Sequence, residues 1–131
     1  MNYLLDTNTC IYMMKNHPPV VEHYKTNKHL GIAVSTITAA ELYFGVFNSV
    51  SPEKNGANLV KFLIGLEILE FDDSAAIEYG RIRAVLRRQG TPISPMDMLI
   101  AAHAKSQELV VVTNNVQEFA RIEGLELENW V

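Results

Sequence analysis

Four carboxylates stand where this sequence could do chemistry. Asp6 closes the first apolar run, Tyr3-Leu4-Leu5, while Glu41, Asp97 and Glu118 each follow a hydroxyl or amide residue by three positions: Thr38, Ser94 and Asn115. That spacing has a plain structural reading. A capping side chain at a helix start accepts a hydrogen bond from an orphan backbone N–H, and the acid three residues later sits favourably in the first turn. Pro95 at the first helical position strengthens the second of these starts. Each cap is worth about 1 kcal/mol. The alternative reading is chemical: oxygen-only ligands select hard cations such as Mg²⁺ or Mn²⁺, whereas zinc more often recruits His or Cys.

The elements that would position these acids decide whether they can act together. Short apolar runs predict strands at residues 3–5, 31–35, 68–71 and 109–112, with a short edge strand at 125–128. Helical patterns fall between them, over residues 8–16, 19–28, 38–50, 53–67, 73–89, 95–107 and 115–122. Pro18-Pro19, Ser51-Pro52, Gly90-Thr91-Pro92 and Gly124 punctuate the junctions. Continuous Val/Ile/Leu runs suit strands covered on both faces, so the alternation predicts an α/β fold. Its sheet would be central, mostly parallel and twisted, with four to five strands flanked by about seven helices.

In such a sheet the carboxyl ends of the strands share one edge, and the crossover helices begin there. Asp6, Glu41, Asp97 and Glu118 are all delivered to the edge where open α/β sheets bind ligands. Two unit charges ~5 Å apart repel by about 3 kcal/mol at an effective dielectric of about 20. Capping does not require that convergence, and a divalent cation would make use of it.

Composition bounds the rest. The chain has 131 residues, 48% of them hydrophobic and 20% charged, which predicts one globular domain over 1–131 and argues against disorder. Cys10 stands alone, which excludes an internal disulfide framework and fits a reducing cytoplasm. Asp6 interrupts the first apolar run too early for a signal peptide, and no run approaches the ~20 apolar residues of a membrane span. The expected location is cytoplasmic, with no membrane partner. Net charge is −4, so nucleic-acid binding would need a local basic patch.

Arg81, Arg83, Arg87 and Arg88 put four of the eleven basic residues on one predicted helix. They read either as a solvated face paired with acids such as Glu78 or as phosphate contacts for RNA, with Lys61 and Lys105 as candidate extensions. His103 and Cys10 read as packed residues rather than catalytic ones. Residues 40–47 carry Leu42, Tyr43, Phe44, Val46 and Phe47, too many for one narrow helix face. Together with Leu59, Phe62, Leu63 and Leu66 they should be mostly core, with any surplus available to a second copy or a partner helix.

Leu4-Leu5-Asp6-Thr7-Asn8, Ser35-Thr36-Ile37-Thr38-Ala39-Ala40-Glu41-Leu42, Pro95-Met96-Asp97 with Ile100-Ala101-Ala102, and Val112-Thr113-Asn114-Asn115 with Glu118-Phe119 resemble the PIN-domain ribonucleases. The likeness runs the full length in motif order and is closest to the VapC toxins of bacterial toxin–antitoxin modules. It implies a PIN-like fold, with Asp6, Glu41 and Asp97 on the three core metal-binding acids and Glu118 on the fourth acidic position. Asn8 and Thr113 fall on supporting positions, orienting carboxylates or a metal-bound water. The implied activity is endoribonuclease hydrolysis with one or two Mg²⁺ or Mn²⁺ ions. The implied substrate is tRNA, with the initiator's anticodon region favoured, so that cleavage stops translation. The implied partners are a homodimeric second copy, a cognate VapB antitoxin, and operator DNA reached through the antitoxin.

Rival readings remain. A receiver-like or haloacid-dehalogenase-like phosphotransfer domain also places an Asp after its first strand, but the latter wants Asp where Asn8 stands. A non-catalytic PIN-like binding domain is the other rival, and the presence of all three core acids argues against it. Neither G-x-G-x-x-G nor G-x-x-x-x-G-K-[ST] occurs, which removes the common nucleotide-binding loops.

Overall fold

A computed structural model describes residues 2–131. Five strands form one sheet: β1 (Tyr3–Leu5), β2 (Ile32–Ser35), β3 (Glu67–Leu69), β4 (Val110–Val112) and β5 (Leu127–Glu128). Their order is β3-β2-β1-β4-β5, and every pairing is parallel. The expectation of a mostly parallel sheet is thus met in full. Seven helices connect the strands: α1 (Thr7–Met14), α2 (Pro18–Asn27), α3 (Thr36–Phe47), α4 (Pro52–Ile64), α5 (Asp73–Gln89), α6 (Pro95–Ser106) and α7 (Val116–Phe119), with a 3-10 turn at Lys28–Leu30.

Strand alternation splits the core in two. Tyr3, Leu5, Ile32, Val34 and Val112 point to one face and pack with Cys10, Val20, Leu42, Val46, Leu59 and Leu63 from α1 to α4. Leu4, Ala33 and Val111 point to the other and meet Ile82, Leu86, Ile100 and Phe119 from α5, α6 and α7. A sheet covered on both sides needs apolar residues at every strand position, which is why these runs do not alternate. The chain winds outward from β1 through β2 to β3, then returns across α5 and α6 to β4 on the other side of β1. The direction therefore reverses between β1 and β4, at the kind of crevice where α/β sheets take ligands.

Two of the three expected helix caps differ from expectation. α3 begins at Thr36 rather than Thr38, because Ser35 at the end of β2 accepts from the Ile37 N–H at 3.0 Å. Thr38 is consequently buried inside the first turn, and Glu41 lies in the second turn, outside any capping box. α3 also ends at Phe47, short of residue 50. Asn115 does precede α7, but its side chain makes no capping bond and the helix is a single turn. The Ser94 start is as read: Ser94 Oγ accepts from the Asp97 N–H at 3.2 Å, with Pro95 following it. A further cap comes from Asp6, whose carboxylate accepts from the Thr9 N–H at 2.8 Å.

Candidate functional site

The site assembles at the carboxyl edge of the sheet. Asp6 leaves β1 with its backbone N–H donating to the Val112 carbonyl of β4 at 3.0 Å, so the two strand ends stay in register where the loops diverge. Thr9 fixes the same junction from above, its hydroxyl donating to the Val112 carbonyl at 3.0 Å while its N–H holds Asp6. Asp6 is only 3% exposed, so its carboxylate is a buried charge whose shape is set by backbone donors.

Asp97 enters from the first turn of α6 and Glu118 from α7, and one side chain joins them. The Asn115 amide nitrogen donates to Asp97 Oδ2 at 3.3 Å and to Glu118 Oε2 at 2.9 Å. Asn115 is itself held by Thr113, whose buried hydroxyl accepts the Asn115 N–H at 2.9 Å. Thr113 therefore orients the carboxylates at one remove. Glu41 approaches from α3 and accepts from the Thr7 hydroxyl at 2.5 Å. Thr7 follows Asp6 directly, so Glu41 is tied to the strand end that carries Asp6.

Their charges are felt there. The Asp97 carboxyl is pushed above its ordinary range, first by burial and then by the negative charge of Asp6; Glu118 adds to the rise, while bonds from Asn115 and Ser94 oppose it. Among the described residues no lysine or arginine forms an ion pair with any of the four; the salt bridge present joins Arg81 to Glu78. This donor set, all oxygen and short of positive charge, is what a hard divalent cation would be drawn to. The expectation of four converging carboxylates needs one correction. Among the described residues, no three acidic, His or Cys side chains form a group that could hold a metal ion as they stand. The carboxylates are held instead by neutral donors: Thr9 for Asp6, Thr7 for Glu41, and a single amide, Asn115, shared by Asp97 and Glu118.

None of these three donors, Thr9, Thr7 and Asn115, is read as a site residue from the sequence. Asn115 had a signal, its three-residue spacing to Glu118, but the same spacing reads as a cap. Asn8, expected to orient a carboxylate or a metal-bound water, is exposed two residues past Asp6. His103 is fully buried, its Nδ1 2.7 Å from Ser35 Oγ and its ring edge-on to Phe71. Burial holds its pKa below the usual histidine value, against the pull of Asp72 and the Glu70 backbone. It supports the cap of α3, the helix that carries Glu41. Cys10 is fully buried, and burial, with Asp6, pushes its thiol well up.

The four arginines of α5 all lie exposed. Arg81 pairs with Glu78 one turn earlier, and Arg83 donates to the Tyr79 hydroxyl at 3.1 Å. Arg81 lines a cavity with Lys105 and with Arg121, a cation the sequence reading had not joined to the cluster. Lys61 does not extend it; that side chain lines a different cavity with Lys15 and Glu41. The surplus apolar side chains of α3 and α4 are real: Leu42, Val46, Leu59 and Leu63 are buried, whereas Phe44 is 69%, Phe47 74% and Ile64 80% exposed.

Comparison with known proteins completes the description. A family model described as PIN domain matches residues 3–125. The chain is 47% identical to the tRNA(fMet)-specific endonuclease VapC of Salmonella typhimurium, over 99% of this chain and 98% of the relative. It is also similar to two crystal structures. One is DNA-bound VapBC from Salmonella typhimurium, with a TM-score of 0.95 at 46% identity, covering 100% of this chain and 99% of the other. The second is VapBC2 from Rickettsia felis bound to a promoter DNA fragment, with a TM-score of 0.94 at 39% identity and full coverage of both chains.

Proposed function

Because the chain belongs to the PIN-domain family and to its VapC ribonucleases, we propose that it is the toxin of a VapB–VapC module, cutting tRNA, with the initiator tRNA favoured, and so stopping translation. The observation that carries the site assignment is the bridge from Asn115 to both Asp97 and Glu118. It places two acids from separate helices against one amide, beside buried Asp6.

The reaction is hydrolysis of a phosphodiester: water forms a bond to phosphorus, the P–O3′ bond breaks, and the products are a 3′-hydroxyl and a 5′-phosphate. One or two Mg²⁺ or Mn²⁺ ions, when bound, would supply charge neutralisation and a more acidic water. Asp6, Glu41, Asp97 and Glu118 are the groups that would hold them. The chain's own contribution is orientation. Thr9 and the strand ends fix Asp6; Thr7 fixes the direction of Glu41; Asn115, set by Thr113, keeps Asp97 and Glu118 aimed at the same side of the edge. Arg81, Arg83, Arg87 and Arg88 serve as phosphate contacts away from the acids, offsetting the repulsion between an acidic edge and a polyanion.

The exposed Phe44, Phe47 and Ile64 support docking of a VapB antitoxin and of a second toxin copy, with operator DNA bound by the complex. No described helix is long and apolar enough to cross a membrane, and a tRNA substrate supports a cytoplasmic location. The test is incubation of antitoxin-free protein with a purified tRNA pool, with Mg²⁺ or with EDTA, beside Asp6→Asn. Discrete fragments that vanish with EDTA and with the variant are expected, and end-mapping identifies the tRNA and the bond cut. Identical lanes from folded proteins would reject tRNA cleavage.

A further inference from the structure

A second feature opens directly beside the acidic edge. A cleft of about 550 Å³ lies between α1 and the loop that follows β4, lined by Asn8, Ile11, Tyr12, Lys15, Asn114 and Asn115. It sits above the β1–β4 junction, where the direction of strand winding reverses. Its lining differs in kind from the edge it adjoins: three amides, one phenol, one cation and no acid. Asn115 is shared between the two, its amide nitrogen committed to Asp97 and Glu118.

We infer that this cleft seats the nucleotide flanking the scissile bond, with Lys15 on its phosphate and the side-chain amides of Asn8 and Asn114 on the edge of its base. This rests on the reading of the acidic edge as an RNA-cleaving site and adds the element that selects sequence there. Amides are the side chains suited to base edges, since each offers both donor and acceptor, and unpaired RNA presents those edges freely. Asn114 accepts from the Asn129 amide at 3.3 Å, which holds its plane and leaves its own NH₂ to donate. Asn8 is exposed two residues past Asp6, so a base it touched would lie next to the reacting phosphate.

Lys15 is held in place by the way α1 ends. The Lys15 N–H bonds to the Ile11 carbonyl, and the Asn16 and His17 N–H groups bond back to Met13 and Tyr12, each at 3.0 Å. Asn16, one residue past the Lys15 cap, takes a left-handed conformation with φ of 59°, which asparagine tolerates and which keeps the helix from continuing beyond Met14. The same turn brings the His17 ring to 4.9 Å from Tyr12, fixing the aromatic wall of the cleft. A cation at this helix end is favoured locally, and it is the only charge the cleft lining carries.

The experiment separates this inference from catalysis. An Asp97→Asn background in EDTA is used to measure binding of a fluorescein-labelled single-stranded RNA by anisotropy over a salt series. Adding Lys15→Gln should weaken binding about fivefold and lower the slope of log Kd against log salt by roughly 0.7, the share of one phosphate. Separately, wild type, Asn8→Ala and Asn114→Ala are given RNA randomised around the cut, and the fragments are sequenced. Wild type should show a base preference beside the cut that either amide variant relaxes by roughly tenfold. Asn8 and Lys15 are exposed, so these variants retain the fold. Should wild type cleave RNA while Lys15→Gln leaves binding and slope unchanged and both amide variants keep the preference, the cleft assignment is overturned and the catalytic reading stands. Absent cleavage by wild type with Lys15-dependent binding intact, the catalytic reading falls and takes with it the subsite beside a cut, leaving the cleft an RNA-binding surface only.

Discussion

Helix α3 carries two surfaces of opposite character. On one side Glu41 faces the acidic edge, tied to Thr7 by a short hydrogen bond. Elsewhere on the same helix Phe44 and Phe47 stand largely in solvent. The first surface is oriented by named donors on other elements, and its cost is electrostatic. The second has no such partner among the described residues, and its cost is apolar area left in water. A charged group must be held in direction to do chemistry, whereas an apolar face needs only shape and area to bind. The two can therefore share twelve residues without competing, and substitutions should separate them.

Asp6→Asn should have the largest effect, a loss of cleavage beyond the roughly 100-fold that marks a group merely supporting a metal site. Circular dichroism should be unchanged, because asparagine can still accept from the Thr9 N–H. Asn115→Ala follows, with cleavage down roughly 10- to 100-fold and antitoxin binding retained; a loss of both would mean the edge and the apolar face are one unit. Phe47→Glu should invert the pattern. Cleavage stays within about twofold, while affinity for VapB, measured by titration calorimetry, falls roughly tenfold or more. Replacing both Arg87 and Arg88 by Gln should move least, a few-fold rise in KM for RNA that disappears at high salt.

The two surfaces were not equally legible from sequence. Strands and helices followed from apolar runs and turn residues, and errors fell at ends, where local competitors decide. Ser35 displaced Thr38 as the α3 cap because it stands at the strand terminus itself. The four acids were readable from type and from their place after strands or in helix starts. Their partners were not. Thr7 meets Glu41 because β1 and β2 are neighbours, and Asn115 reaches the same edge because β4 lies beside β1; both adjacencies are products of topology. Capping and site chemistry also proved compatible in one residue, since Asp6 caps α1 with the carboxylate proposed to hold a cation. The exposure of Phe44 and Phe47 was legible only as a surplus, because counting apolar residues on a helix does not say which of them face outward.

Asp97 and Glu118 meet at one amide near the negative charge of Asp6, an arrangement that a bound cation would relieve. Asp97 has its carboxyl pushed above the usual range, so its stabilising contribution is complete only below its unfolded value and is lost as pH rises through the folded one. At neutral pH the group is a liability to the metal-free fold. The most direct measurement is the thermal midpoint of wild type and Asp97→Asn at pH 7, each in EDTA and in excess Mg²⁺. The variant should be the more stable protein in EDTA, with the gap closing toward pH 3. Mg²⁺ should stabilise the wild type by RT ln(1 + [Mg²⁺]/Kd) and the variant by less, reversing the order. Equal responses to Mg²⁺, or a variant less stable than wild type in EDTA, would contradict a cation site built from this edge.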